Sequence, residues 1–194
     1  MIEVQVDTIR DFLQTNVCDK IKLTRGNNES TESPQQFITP RAFSFQPFYK
    51  GQITGIETNA PYVLVYPISG EDAISPRKGD STATGGVLDG TLIIRLEFRV
   101  FEPSEFGGVW DDETERFGGT PDPDGWRSLA NFMDRARREI IKAATIGDLE
   151  ITYPVPYGFF PDAVTAPGYA GWMEPKFRYF RPPILKDEYV RLLS

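Results

Sequence analysis

Between Thr91 and Phe101 the chain alternates with a period of two. Leu92, Ile94, Leu96, Phe98 and Val100 share one face, while Arg95, Glu97 and Arg99 share the other with Ile93. Successive side chains of a strand point to opposite faces, so this run predicts a β-strand with one face on a core and the other wet. Such a strand belongs to an antiparallel sheet, because parallel strands are covered on both faces and read as continuous apolar runs. The rest of the chain must then supply an apolar layer for the even-numbered face.

Two helical segments can supply it. In the first, Val4, Ile9, Phe12 and Leu13 form a stripe, with Asp7, Arg10, Asp11 and Gln14 opposite. Val4 and Val6 would also suit a strand. In the second, Trp126, Leu129, Met133, Ala136, Ile140 and Ala144 recur at helical spacing, with Ala130 and Phe132 widening the stripe. Asp124 is the expected N-cap and Gly147 the expected stop. Further strands are expected at Tyr62–Tyr66, a continuous β-branched and aromatic run buried on both faces, at Leu149–Tyr153, and at Trp172–Phe180. In the last, Phe177 and Tyr179 oppose Lys176 and Arg178, and Pro182-Pro183 ends the run. A short tail helix is expected over 187–193.

The order helix, strand, strand, helix, strand, strand implies an α+β fold: a mostly antiparallel sheet with helices packed on one face. One domain is expected over 1–194, with long loop insertions at about 21–59, 73–89 and 102–123. Residues 26–34 are turn-rich. Phe43, Phe45, Phe48 and Tyr49 form an aromatic stretch that Pro47 interrupts, which favours an edge strand or a packed loop. The glycine-rich segment 69–90 is read as a long loop or a hairpin excursion. Residues 154–171, rich in Pro, Gly and aromatics, are read as an irregular excursion. Residues 102–124 hold eight acids and one base, Arg116.

Composition narrows the chemistry. The 194 residues include no histidine, which removes Ser-His-Asp and Cys-His triads, histidine-containing zinc sites and any His general base. The single cysteine, Cys18, rules out an internal disulfide framework and fits a reducing cytoplasm. With 28 acids against 21 bases, the net charge of −7 suits a surface that repels DNA rather than one that clamps phosphates. No apolar run approaches the roughly 20 residues of a membrane helix, and the first residues do not read as a signal peptide.

Few motifs carry chemistry. There is no phosphate loop and no Gly-x-Ser-x-Gly elbow. Asp162 followed by Glu174-Pro175-Lys176 has the letters of a magnesium-dependent nuclease site, in which carboxylates hold metal and lysine orients water. Pro175 and the Pro/Gly-rich lead-in oppose that assignment and leave surface charges as the plainer one. Asp122-x-Asp124-Gly125 opens like a calcium loop, but Met133 stands where the closing glutamate belongs, which favours a solvated loop. Cys18 is expected to be a small packed residue. Arg135, Arg137, Arg138 and Lys142 form either an ion-pairing face or a solvated one.

The run Ala60-Pro61-Tyr62-Val63-Leu64-Val65-Tyr66-Pro67-Ile68-Ser69-Gly70-Glu71-Asp72 resembles a signature of tail terminators of tailed bacteriophages, in which a strand enters a Pro-x-x-Gly-Glu-Asp turn. The similarity continues in order. It takes in the alternating strand to Phe101, the helix start Gly125-Trp126-Arg127, the strand at 149–153, the opening Trp172-Met173-Glu174, and Arg181-Pro182-Pro183. It is weak over residues 1–20 and covers 60–184 well, departing in the long loops. The missing histidine, single cysteine, absent phosphate loop and poorly set Glu-x-Lys lead to the expectation of no enzymatic activity, cofactor or metal; the resemblance implies a virion structural protein, assembled in the host cytoplasm. It implies a homo-oligomeric ring, by family analogy a hexamer, which caps the head-proximal end of the tail tube and stops tube polymerisation. The ring would join the tail to the connector or stopper protein, and DNA would pass through it without specific binding; no membrane is involved. Another neck or tail component, or a nuclease using Asp162, Glu174 and Lys176, is the alternative. Candidate contacts with a neighbouring subunit or the tube are Phe45, Phe48, Tyr49, Phe159, Phe160, Tyr169, Trp172, Arg135 and Arg138. Candidate channel-rim residues are Asp111, Asp112, Glu113 and Glu115.

Overall fold

The alternating run becomes the spine of the sheet. A computed structural model describes residues 2–24, 37–44, 60–75, 87–101, 109–111, 116–118, 126–165 and 168–181. The architecture is α+β, with an antiparallel-rich sheet and, among the described residues, two α-helices. Strand β5 (Val87–Phe101) is bonded on one side to β4 (Tyr62–Ser75) and on the other to β11 (Gly168–Met173) and then β12 (Lys176–Arg181), all antiparallel. Beyond these lie β10 (Tyr157–Thr165) beside β11, β9 (Leu149–Thr152) beside β12, and β8 (Thr145–Ile146) beside β9. On the opposite flank β3 (Arg41–Ser44) runs parallel to β4. Two small hairpins stand apart: β1 (Leu23–Thr24) with β2 (Phe37–Ile38), and β6 (Val109–Asp111) with β7 (Arg116–Gly118).

Three expectations change here. Of the two readings of 69–90, the hairpin excursion holds for its described ends: residues 69–75 and 87–90 are paired strand, not loop. The register shifts between Pro67 and Ser69, and β4 then continues against β5 as far as Ser75. A bulge absorbs one residue and lets the ladder resume, so the Pro-x-x-Gly-Glu-Asp stretch is strand and not turn. The 154–171 segment likewise holds strand, because β10 and the start of β11 form an antiparallel pair there. The strand expected at Trp172–Phe180 begins earlier, at Gly168, and is divided at Glu174-Pro175. Both halves keep a common register on β5, from Gly168 opposite Phe101 to Arg181 opposite Leu88. Proline removes a donor at the join, but its carbonyl still accepts from the Ile94 N–H at 3.1 Å.

The even-numbered face of β5 is the core floor. Leu92, Ile94, Leu96, Phe98 and Val100 are each at most 2% exposed. Helix α1 (Ile2–Asn16) lays Val6, Ile9 and Leu13 into the core, and helix α2 (Trp126–Ala143) lays Leu129, Phe132, Met133, Ala136 and Ile140 into it. Burying each such side chain contributes roughly 1.5–3 kcal/mol. Phe98 meets Phe132 edge to face at 5.1 Å and 84°. The stripes differ from expectation at their ends. Val4 is 68% exposed and Val6 replaces it, while Trp126 is 42% exposed. Helix α2 stops before Gly147: Ala144 takes the left-handed conformation at φ 57°, and Gly147, at φ 63°, makes the β8–β9 turn.

Glycine at 171 is needed for helix and sheet to meet. A Cβ there would lie 2.5 Å from Met133 Sδ, so the missing side chain lets α2 seat on β11. At the sheet's free flank, α1 closes the edge of β3. The Gln14 side-chain oxygen accepts the Ala42 N–H at 2.8 Å, and the Ser44 hydroxyl donates to Asp7 at 2.6 Å while accepting from Arg10 at 3.1 Å.

Candidate functional site

The odd-numbered face of β5 carries the charges, and cross-strand register arranges them in rows. Arg95 stands between Tyr66 on β4 and Glu174 at the β11–β12 join. Its Nε donates to Glu174 Oε1 at 2.9 Å, and a terminal N–H reaches the same oxygen. Its guanidinium lies 5.6 Å over the Trp172 ring. The hydrogen bond to Glu174 raises the Arg95 pKa further and keeps the group charged. Burial raises the Tyr66 hydroxyl, with Glu97 adding to the shift. Trp172 lies over Gly158 of β10, whose absent Cβ would sit 3.1 Å from the indole.

This geometry bears on the Asp162/Glu174/Lys176 pattern. Glu174 is committed to Arg95, Lys176 is exposed, and the Asp162 side chain lies outside the described residues. Among the described residues, no group of three or more carboxylates or thiols is placed to hold a metal ion. Among them also, no helix is long and apolar enough to cross a membrane.

A second cluster lies where β10 meets α2. Tyr157 is 54% and Phe159 38% exposed, and by register both share a face with Met173 and Gly171, on the helix side of the sheet. The Arg137 guanidinium stacks 5.2 Å from the Tyr157 ring centroid. The Nε atoms of Arg137 and Arg135 are buried, with no acceptor among the described residues.

The expected contact residues separate accordingly. Phe159 is surface, and Phe160 is half-buried. Trp172 is half-buried in the Arg95 cluster. Tyr169 is 5% exposed and belongs to the core, so it is corrected from contact residue to packing residue. Arg135 is half-buried; Arg138 is exposed and pairs with Asp134 at 2.9 Å one helical turn away. Phe45, Phe48, Tyr49, Asp112, Glu113 and Glu115 lie outside the described residues, and so does the Asp111 side chain, although Asp111 ends β6. The expected N-cap Asp124 and the tail segment 187–193 lie outside them too. Sequence reading missed Arg137 as the partner of Tyr157 and Ile68 as an exposed apolar residue at 47%. Both follow from register, which no local pattern states.

No protein-family model matches this sequence, and no curated protein matches it.

Proposed function

We propose that this chain is a ring-forming structural subunit of a phage tail, acting as the terminator at the head-proximal end of the tube. The observation that carries the proposal is the ordered similarity through residues 60–184: an apolar strand after Pro61, an alternating strand to Phe101, a Gly-Trp-Arg helix start, and a closing strand opened by Trp-Met-Glu. The α+β architecture is compatible with it. So are the net charge of −7, which disfavours retention of DNA, and the commitment of Glu174 to an ion pair. The finer arrangement belongs to the same proposal: helices on one sheet face, contacts with tube, connector or channel made from the segments about 21–59, 73–89 and 102–123, and six copies per ring.

The test is assembly. Particles made without the gene should carry tubes of uncontrolled length, and supplying the protein should restore one ring at the head-proximal end. Normal tube length in its absence would reject the terminator assignment. Finding the protein in a stack along the tube would make it a tube subunit instead. Magnesium-dependent DNA cleavage that Lys176→Ala abolishes would reject a purely structural role.

A further inference from the structure

We propose that copies of this chain join head to tail by strand pairing, the β10 edge of one copy against the distal β4 edge of the next. The inference rests on the ring-forming proposal above and deepens it by naming the joining surfaces.

The backbone directions follow from two hydrogen bonds. The Glu174 N–H donates to the Pro156 carbonyl at 2.9 Å. Antiparallel ladders alternate between bonded and non-bonded pairs, so Gly158 turns its backbone groups toward β11. Tyr157 and Phe159 turn theirs away, to the open side. The Ile94 N–H donates to Pro175, so the even residues of β5 serve β12 and its odd residues serve β4. Past the bulge, Ile93, Thr91 and Asp89 face Ser69, Glu71 and Ala73. Gly70, Asp72 and Ile74 therefore direct their N–H and C=O groups away from β5. Among the described residues no strand pairs with either open side, since β3 covers β4 only over 62–65. The contrast with β3 is informative: its own outer edge is blocked by Gln14. An edge that no described residue blocks is a template for another strand.

The second copy fits as occupant because the side chains beside the two edges are complementary. Beside β10 stand Tyr157, Phe159 and Arg137, whose guanidinium stacks on Tyr157 and whose buried Nε has no acceptor among the described residues. Beside distal β4 stand the exposed Ile68, at the bulge, and the exposed Asp72, which lies opposite Gly90 and so on the same sheet face as Tyr157 and Phe159; Glu71, opposite Thr91, is on the other face. Aromatic and cationic groups thus meet an aliphatic and an anionic one. The edges lie on opposite flanks of one sheet, so the contact is heterologous and can close into a ring. They also lie toward opposite ends of β5: β11 and its neighbour β10 serve the 96–101 end, and distal β4 pairs over 87–93. That offset supplies the stagger a closed arrangement of tilted strands requires.

Disulfide trapping tests the pairing. Cys18 is fully buried and will not interfere. Phe159→Cys combined in turn with Ile68→Cys and Asp72→Cys should give, for at least one pair, an oxidised ladder running up to the ring. Each single-cysteine variant should stay monomeric on denaturing gels. Phe159→Pro, which removes an outward N–H and leaves the β11 ladder intact, should shift the native mass from ring to protomer with an unchanged circular dichroism spectrum. Dimers trapped by Phe159→Cys alone would mean symmetric edge pairing and overturn the proposal. Wild-type rings that survive Phe159→Pro while no cysteine pair cross-links would overturn it too, leaving the ring reading in place. A wild-type protein monomeric at every concentration would sink both.

Discussion

Replacing Gly90 by alanine puts a methyl group where the Tyr179 ring now lies. Gly90 faces Asp72 on β4 and Tyr179 on β12, and the tyrosine reaches across the glycine to donate its hydroxyl to Asp72. An added Cβ would stand 2.2 Å from Cζ and 2.6 Å from the hydroxyl oxygen, so the ring must leave. Tyr179 is 6% exposed, and re-exposing part of the ring costs about 1.5–2 kcal/mol. Losing the hydrogen bond to an exposed carboxylate costs about 1.5 kcal/mol, the low end for a charged acceptor. Against this, alanine is better than glycine inside a strand by roughly 0.5–1 kcal/mol. The net cost is about 2.5 kcal/mol, or on the order of 5–10 °C in Tm for a chain of this length. The sign should reverse once the ring is gone. In a Tyr179→Ala background, Gly90→Ala should be neutral or stabilise by up to about 1 kcal/mol. Urea midpoints of the four proteins at constant m close the cycle. If Gly90→Ala costs the same with and without Tyr179, the ring is not what excludes a side chain there.

Two further outcomes follow from the same contacts. Gln14→Leu should leave the Ala42 N–H without its acceptor, cost about 1–3 kcal/mol, and speed hydrogen exchange at that amide; unchanged exchange would show that Gln14 does not close the edge. Alkaline pH should destabilise the fold, because burial, helped by Asp19, raises the Cys18 thiol from 9.0 to about 12, and burial raises the Tyr62 hydroxyl from 10.0 to about 12. The unfolded chain gives up these protons first. Stability is therefore retained below pH 9 and falls as pH rises toward 12, by at most about 1.4 kcal/mol per unit for each group. Cys18→Ala should flatten the first part of that fall, as read by denaturation midpoints from pH 8 to 11, and an equal slope in both proteins would rule out the thiol.

What could be read from sequence was whatever a local period expresses. The β5 alternation named its buried residues correctly, because one pleat decides all five at once. Helix α2 was equally plain through its interior. Helix ends were not: Val4 joins the helical stripe and, with Val6, would also suit a strand, and only the sheet beneath α1 selects Val6. The distal half of β4 was hidden because Ser69-Gly70-Glu71-Asp72 has turn composition, and strand pairing with β5 overrides it. β10 was hidden in the same way, since Pro154, Pro156 and Gly158 read as breakers. Gly158 is there to admit Trp172, a partner fourteen positions away in the sequence that becomes a direct neighbour through register. The Arg137–Tyr157 stack and the two open edges are likewise products of pairing, invisible to any window of residues.

The same distinction weighs the two readings of Glu174. In sequence it is the first letter of Glu-x-Lys, and its separation from Asp162 suits two metal ligands. In the fold, register places it opposite Arg95, whose guanidinium also stacks on Trp172. A carboxylate held by two N–H groups of one arginine would have to give up that partner to bind a divalent ion. Arg95 would then lose the carboxylate that holds its charge beside Tyr66 and over Trp172. Pro175 acts in the same direction, since it breaks the strand at the residue that would space the glutamate from the lysine. A structural role asks for neither change. It uses Glu174 as it stands, pinning the join between β11 and β12 to the middle of β5 and so holding β10 at the sheet's edge.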